Sequence, residues 1–307
     1  PRKLASFFGF TKEEVQALAA KHQMDYDELE KWYDGYQIGR QPSMFNPNSV
    51  MQAIDAEWCR SYWAATGSFE AVTGYIDSNF DGLRDDIVEM LAGGRAKVDP
   101  TGFQNDLSEI HSRDDVLTVL IHLGYLSYDR VHNECYIPNK EVAGEMVNAV
   151  KANKWKHVTE ALNQSGRLLQ ATLRGDADTV AAMLEQYHSD DTSILSYNDE
   201  NSLSCVISLA YYYARNDYYV IREMPTGKGY ADLVMLPRKN VSTPALVIEL
   251  KKDKTAPAAI AQIKERRYPQ QIEKYTGDIL LVAISYDRKT KVHDCRIETW
   301  HKESLES

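Results

Sequence analysis

Two stretches decide the fold: Thr226-Gly-Lys-Gly-Tyr-Ala-Asp-Leu-Val-Met-Leu236, and shortly after it Ala245-Leu-Val-Ile-Glu-Leu-Lys251. Each holds a short apolar run that reads as a strand, Ala231 to Leu236 and Ala245 to Leu250. Side chains two apart on a strand face the same way, so Glu249 and Lys251 leave one side of the sheet, where Asp232 from the neighbouring strand can join them. Two adjacent carboxylates repel unless a cation lies between them, and Mg²⁺ takes such oxygen ligands while keeping waters and phosphate oxygens. A metal held there would lower the pKa of a bound water and polarise a phosphoryl oxygen, and a nearby lysine would steady the developing negative charge. The constellation suits phosphodiester hydrolysis.

Working outward, a helix from about Asn201 to Ala214 leads into a strand at Tyr218 to Glu223, a helix spans Ala256 to Arg267, and a last apolar strand runs from Ile279 to Ser285. Together these make an α/β unit around a small mixed sheet. Gly227-Lys-Gly229 reads as a turn, because the helix that a dinucleotide-binding loop requires does not follow it. The tyrosines of Tyr211-Tyr-Tyr213 and Tyr218-Tyr219 could stack on bases but read first as core and boundary packing.

The preceding residues are mainly helical. A Thr11-Lys-Glu-Glu14 capping box opens a helix through about Lys21, a second helix runs from Tyr26 to Trp32, and a third resumes at Ser49 to Ala56 after a segment rich in Gly, Pro and Asn. From Arg113 the pattern is helix, then two strand-like runs at Gly124 to Tyr128 and Glu134 to Ile137, then a helix from Asn139 to about Val150. That order suggests a winged-helix-like module, with too few basic residues to meet a duplex, so a packing role is favoured over DNA readout. Trp155 to Leu169 and Asp176 to Tyr187 read as a helix pair, and the polar stretch Ser189-Asp-Asp-Thr192 as a boundary.

Composition narrows the function further. Over 307 residues, 43% hydrophobic and 26% charged residues describe a globular protein, and a net charge of −10 argues against coating nucleic acid through a global positive field. Between Arg215 and Lys274, however, 12 Lys/Arg stand against 7 Asp/Glu, a local +5. The cysteines, Cys59, Cys135, Cys205 and Cys295, form no CxxC pair, and the scattered histidines form no HExxH, so neither structural nor hydrolytic zinc is expected. No GxSxG elbow and no GxxxxGK[ST] phosphate loop is present, so this chain alone is expected to bind no nucleotide. No apolar run is long enough for a membrane span and no signal peptide is visible, which points to the cytoplasm.

Asp232 followed by Glu249-x-Lys251 resembles the PD-(D/E)XK nuclease signature, and the glycine-flanked approach to Asp232 looks like the subgroup at the C-terminus of bacterial AAA-ATPase-like proteins. The likeness extends from about Tyr197 to Thr299. It takes in Asn198-Asp-Glu-Asn-Ser-Leu203, Ala258-Ala-Ile-Ala-Gln-Ile-Lys264 with Tyr268, and Ile279 to Asp287. Tyr230 and Ala231 stand where that family often has proline or arginine. The resemblance implies that Glu200, Asp232, Glu249 and the Leu250 carbonyl bind Mg²⁺ or Mn²⁺, that Lys251 assists catalysis, and that Gln262 is an auxiliary polar group at the same centre. It implies a nucleic-acid substrate, DNA before RNA. Upstream, Trp32-Tyr-Asp-Gly-Tyr36, Phe45-Asn-Pro-Asn-Ser49 and Tyr62-Trp-Ala-Ala-Thr66 resemble the latter half of the same AAA-ATPase-like proteins, and the start at Pro1 without Met reads as that of a fragment.

The expected architecture is a multidomain α/β protein. Residues 1–100 form a helical remnant of an AAA-ATPase-like region, 101–155 a winged-helix-like module, 156–190 a helical connector, and 191–307 a restriction-endonuclease-like domain with a small mixed sheet. The rival reading is a catalytically silent nuclease-fold module that binds or regulates.

Overall fold

The computed structural model describes residues 7–39, 41–63, 74, 76, 80–103, 110–152, 155–187, 200–226, 229–265, 272, 277–287 and 289–301. The chain divides into two compact units, Pro1–Trp155 and Lys156–Ser307. No helix among the described residues is long and apolar enough to cross a membrane.

The first unit begins with α1 (Lys12–His22), α2 (Tyr26–Tyr33), the hairpin β1 (Tyr36–Ile38) and β2 (Gln41–Met44), and α3 (Pro47–Ala56). The start of α1 follows from its sequence: the Thr11 hydroxyl accepts from the Glu14 amide, and Glu14 Oε2 accepts from the Thr11 amide at 2.8 Å, closing the capping box. Asn46 caps α3 ahead of Pro47, whose missing N–H is one that a first helical turn leaves unused anyway. Val15, Ala19, Leu29, Tyr33, Phe45, Val50, Ala53 and Ile54 form the shared core of these helices. The hairpin falls in the segment read as turns, because strands of 3 and 4 residues leave too few alternations to detect.

Next come α4 (Leu83–Leu91), β3 (Ala96–Lys97), α5 (Arg113–His122), β4 (Ser127–Asp129), β5 (Glu134–Tyr136) and α6 (Lys140–Ala152). The two-residue strand β3, absent from the sequence reading, pairs with β5 and turns the hairpin into a three-stranded sheet of order β3-β5-β4. Glu141, in the first turn of α6, is buried, and its Oε1 accepts the Tyr62 amide at 2.6 Å, which ties the segment after α3 to this helix.

The second unit contains α7 (Lys156–Leu173), α8 (Ala177–Tyr187), α9 (Glu200–Ala210), β6 (Tyr218–Thr226), β7 (Gly229–Pro237), β8 (Ala245–Lys252), α10 (Ala256–Glu265), β9 (Ile279–Asp287) and β10 (Val292–Trp300). The helices α7 and α8, from the segment expected as a connector, are part of this unit: α7 packs against α9, and α8 against β10. The Ser189–Thr192 stretch read as a boundary lies outside the described residues. Along α7, Val158, Ala161, Leu162, Ser165, Leu168, Leu169 and Thr172 return at helical spacing and are buried as one stripe.

The sheet is five-stranded, in the order β10-β9-β8-β7-β6. Only the β8–β9 pair is parallel among its described ladders, and the crossover between those strands carries α10. Ala245, Val247, Val234, Leu281 and Ala283 meet Ala256, Ala259, Ile260 and Ile263 of α10 in one apolar cluster. The alternate residues Leu246 and Ile248 point the other way and are likewise buried, with α9 packed against β7 and β8. Burial on both faces is what makes β8 read as a continuous apolar run. Strand β10 was not anticipated: Val292-His-Asp-Cys-Arg-Ile-Glu-Thr-Trp300 is largely polar, as an edge strand can be, although all nine of its residues pair with β9.

Candidate active site

The ladder between β7 and β8 runs through Met235↔Leu246, Val234↔Val247 and Leu233↔Ile248. Continued by one step, that register sets Asp232 beside Glu249. Asp232 shares its face with Val234, and Glu249 and Lys251 share theirs with Val247, so the three polar residues extend the apolar cluster under α10. Where the backbone ladder stops, a side chain takes over: the Leu250 amide donates to Asp232 Oδ2 at 2.6 Å. On its other side β8 remains zipped to β9, with Glu249 opposite Ala283 and Lys251 opposite Ser285.

Glu249 is 1% exposed. Its Oε1 accepts from Lys251 Nζ at 2.6 Å and also from Gln262 Nε2, a short contact delivered by α10. Desolvating a carboxylate is costly unless it is paired and hydrogen-bonded, and both of these donors act on Oε1. The structure thus brings together four of the residues singled out in the sequence, Asp232, Glu249, Lys251 and Gln262, on β7, β8 and α10. At Leu250 the contact to Asp232 runs through the amide, whereas the resemblance implies the carbonyl as a ligand. Glu200 opens α9, and its side chain lies outside the described residues, as do Asn198, Asp199 and Tyr268.

One neighbour was missed by sequence reasoning. The β6–β7 ladder passes from Arg222↔Leu233 to Met224↔Ala231, which leaves Glu223 opposite Asp232. Glu223 is exposed and adopts a left-handed φ of 49°. Glu223 thus lies opposite Asp232 in the register, at a backbone conformation uncommon for a non-glycine residue. Its signal in the sequence was slight, an acidic residue at the expected end of a strand.

The tyrosine run sorts into packing roles. Tyr211 is 1% exposed, with its hydroxyl 2.7 Å from Thr172 Oγ1, and the buried Tyr218 donates to Thr243 Oγ1 at 2.6 Å. Tyr213 lies against Gly166 of α7, where a Cβ would meet its ring at 3.4 Å.

The donor set at the fork is oxygen-only, two carboxylates on adjacent strands without histidine or cysteine, and this fits a hard divalent cation of the Mg²⁺ or Mn²⁺ class. A different group lies in the first unit, where Asp129, His132 and Glu134 bring potential ligand atoms within 4.8 Å of one another. Its charges are already met. Arg95 reaches Asp129 at 3.2 Å, Lys97 reaches Glu134 at 2.9 Å, and His132 Nδ1 lies 2.7 Å from Asp129 Oδ2. The hydrogen bond with His132, joined by the Val131 and His132 amides, lowers the Asp129 carboxyl to about 2. These contacts describe a hairpin turn fastened by its own side chains and by two cations from the β3 segment.

No curated protein matches the chain. Residues 198–295, which include the fork, α10 and β9 and lie within the second unit, match the family model described as the PD-(D/E)XK nuclease superfamily, and the five-stranded mixed sheet with its flanking helices is consistent with a restriction-endonuclease-like fold.

Proposed function

We propose that the second unit is a divalent-metal-dependent nuclease that hydrolyses phosphodiester bonds, with DNA the favoured substrate over RNA. The observation that carries this reading is the fork itself. Asp232 and Glu249 stand on adjacent strands with Lys251 and Gln262 bonded to Glu249, inside the segment that matches the nuclease superfamily. Asp232 and Glu249 would hold the cation, with Glu200 and the Leu250 carbonyl as further ligands. When bound, that cation supplies a more acidic water and a polarised phosphoryl oxygen. Lys251 places its ammonium where charge develops on the phosphate, and Gln262 fixes the rotamer of Glu249. The first unit is read as an AAA-ATPase-like remnant, residues 1–100, followed by a winged-helix-like module, 101–155. In this reading the winged-helix-like module has a structural role, and the sequence contains no GxxxxGK[ST] phosphate loop.

The test is cleavage of labelled single- and double-stranded DNA and RNA with Mg²⁺, Mn²⁺ or EDTA, comparing the chain with Asp232→Ala and Lys251→Ala. Metal-dependent cutting that falls by about 10²-fold or more in both variants is expected. Folded protein that binds metal yet cuts none of these substrates would sink the enzymatic reading in favour of a silent module.

A further inference from the structure

Two residues along β7 from Asp232, toward the open end of the fork, stands an aromatic side chain in solvent. Burial alternates on this part of the strand: Leu233 and Ala231 are buried, Asp232 between them is half-buried, and Tyr230 is 62% exposed. The β6–β7 ladder keeps one register through Arg222↔Leu233, Met224↔Ala231 and Pro225↔Tyr230, so no inserted residue breaks the alternation. Tyr230 therefore leaves β7 on the same side as Asp232, roughly 6.5 Å along the strand.

A single apolar side chain at a surface carries no message by itself. What singles out Tyr230 is its place. It is the most exposed large hydrophobic side chain among the described residues of the second unit, and it stands at the rim of the carboxylate fork. The other exposed tyrosines, Tyr213 and Tyr219, lie before β6 or at its opposite end, where Tyr219 pairs with Leu236. A strand held at the fork by one phosphate carries a sugar and a base on either side of that phosphate. A neutral ring offers nothing to the phosphate but a face to the base, and every base has a π face to match it. Inside a duplex those faces are already stacked on neighbouring pairs, so only an unpaired nucleotide can use the ring. We propose that Tyr230 is a stacking platform for an unpaired nucleobase next to the phosphate at the fork, which makes single-stranded or frayed nucleic acid the preferred substrate; this rests on reading the fork as a nuclease centre.

The experiment measures binding separately from cutting. Fluorescence anisotropy of a labelled DNA single strand, and of the same sequence in a blunt GC-clamped duplex, is recorded in EDTA across a salt series for the full chain, Tyr230→Phe and Tyr230→Ala. Metal-dependent cleavage is measured in parallel, with Asp232→Ala as the control. Tyr230→Ala should bind the single strand about tenfold more weakly, while Tyr230→Phe, which keeps the ring, stays within about twofold of the parent. The slope of log K against log salt should not change, because removing a neutral ring releases no counterions, and duplex affinity should stay at the parental value. Parental binding of the single strand by Tyr230→Ala, an equal loss in Tyr230→Phe, an equal loss on the duplex, or a parent that binds no single strand would each overturn the platform. If the parent cuts DNA through Asp232 while Tyr230→Ala binds and cuts as the parent does, the platform fails and the nuclease reading stands. Ring-dependent binding of single strands without any cutting keeps the platform and removes the nuclease.

Discussion

Two glutamates, one in each unit, are equally buried: Glu141 and Glu249 are both 1% exposed. Their partners differ in kind. Glu141 accepts a main-chain amide, that of Tyr62 at 2.6 Å, so its carboxylate fastens one backbone segment to a helix, and burial raises its pKa. Glu249 accepts from side chains, an ammonium and a carboxamide, with the Asp232 carboxylate on the next strand. Side-chain donors can exchange places with a ligand; a peptide amide built into the chain trace is far less free to do so. Burial alone therefore does not separate the carboxylate proposed as a ligand from one that fastens the backbone. The informative features are donors that can move and a second charge of the same sign close by.

The sharpest way to break this contrast is to make the same substitution at both sites. On the proposed reading, Glu249→Gln should lower metal-dependent cleavage by about 10³-fold or more, since the position would lose the charge proposed to hold the cation, whereas Glu141→Gln should leave the cleavage rate of the folded protein unchanged. Equal losses in the two variants, measured as initial rates on one DNA substrate, would erase the distinction.

A smaller effect is expected at Gln262. If it orients Glu249, Gln262→Ala should weaken Mn²⁺ or Mg²⁺ binding by about 10–100-fold in calorimetry. An unchanged affinity would return Gln262 to the packing of α10.

The smallest effect is on stability and concerns Glu141. Its folded pKa is raised above the ordinary 4.5, chiefly by desolvation, so the stability it contributes is fully present below about that pH and is lost as the pH rises through the folded value. Melts between pH 4 and 8 should show the parent losing stability on this account, and Glu141→Gln lacking that component. Parallel curves for the two proteins would show that the Glu141 proton is not linked to folding.

Much of the second unit was legible in the sequence because its chemistry sits on long, regular elements. Alternation on β7 and β8 placed Asp232, Glu249 and Lys251 on one face, whereas Gln262 was singled out by the resemblance alone, and the structure brings it to Glu249 from α10. What was not legible depended on pairing. Strand β10 gave no apolar signal because most of its side chains are exposed or half-buried, and His293, 4% exposed against Tyr286, looks polar in a list of residues and is core in three dimensions. The position of Glu223 opposite Asp232 emerges only from the register, and the exposure of Tyr230 only from the folded strand.

The compactness of the fork in sequence bears on how the protein folds. Asp232 and Leu250 are 18 positions apart, and Glu249 and Gln262 only 13, so the loops that must close to bring these groups together are short and cost little chain entropy. Contacts of low sequence separation form fast. These groups can thus assemble from β7, β8 and α10 as one local folding unit, and β9 and β10 then complete the sheet around side chains already in place.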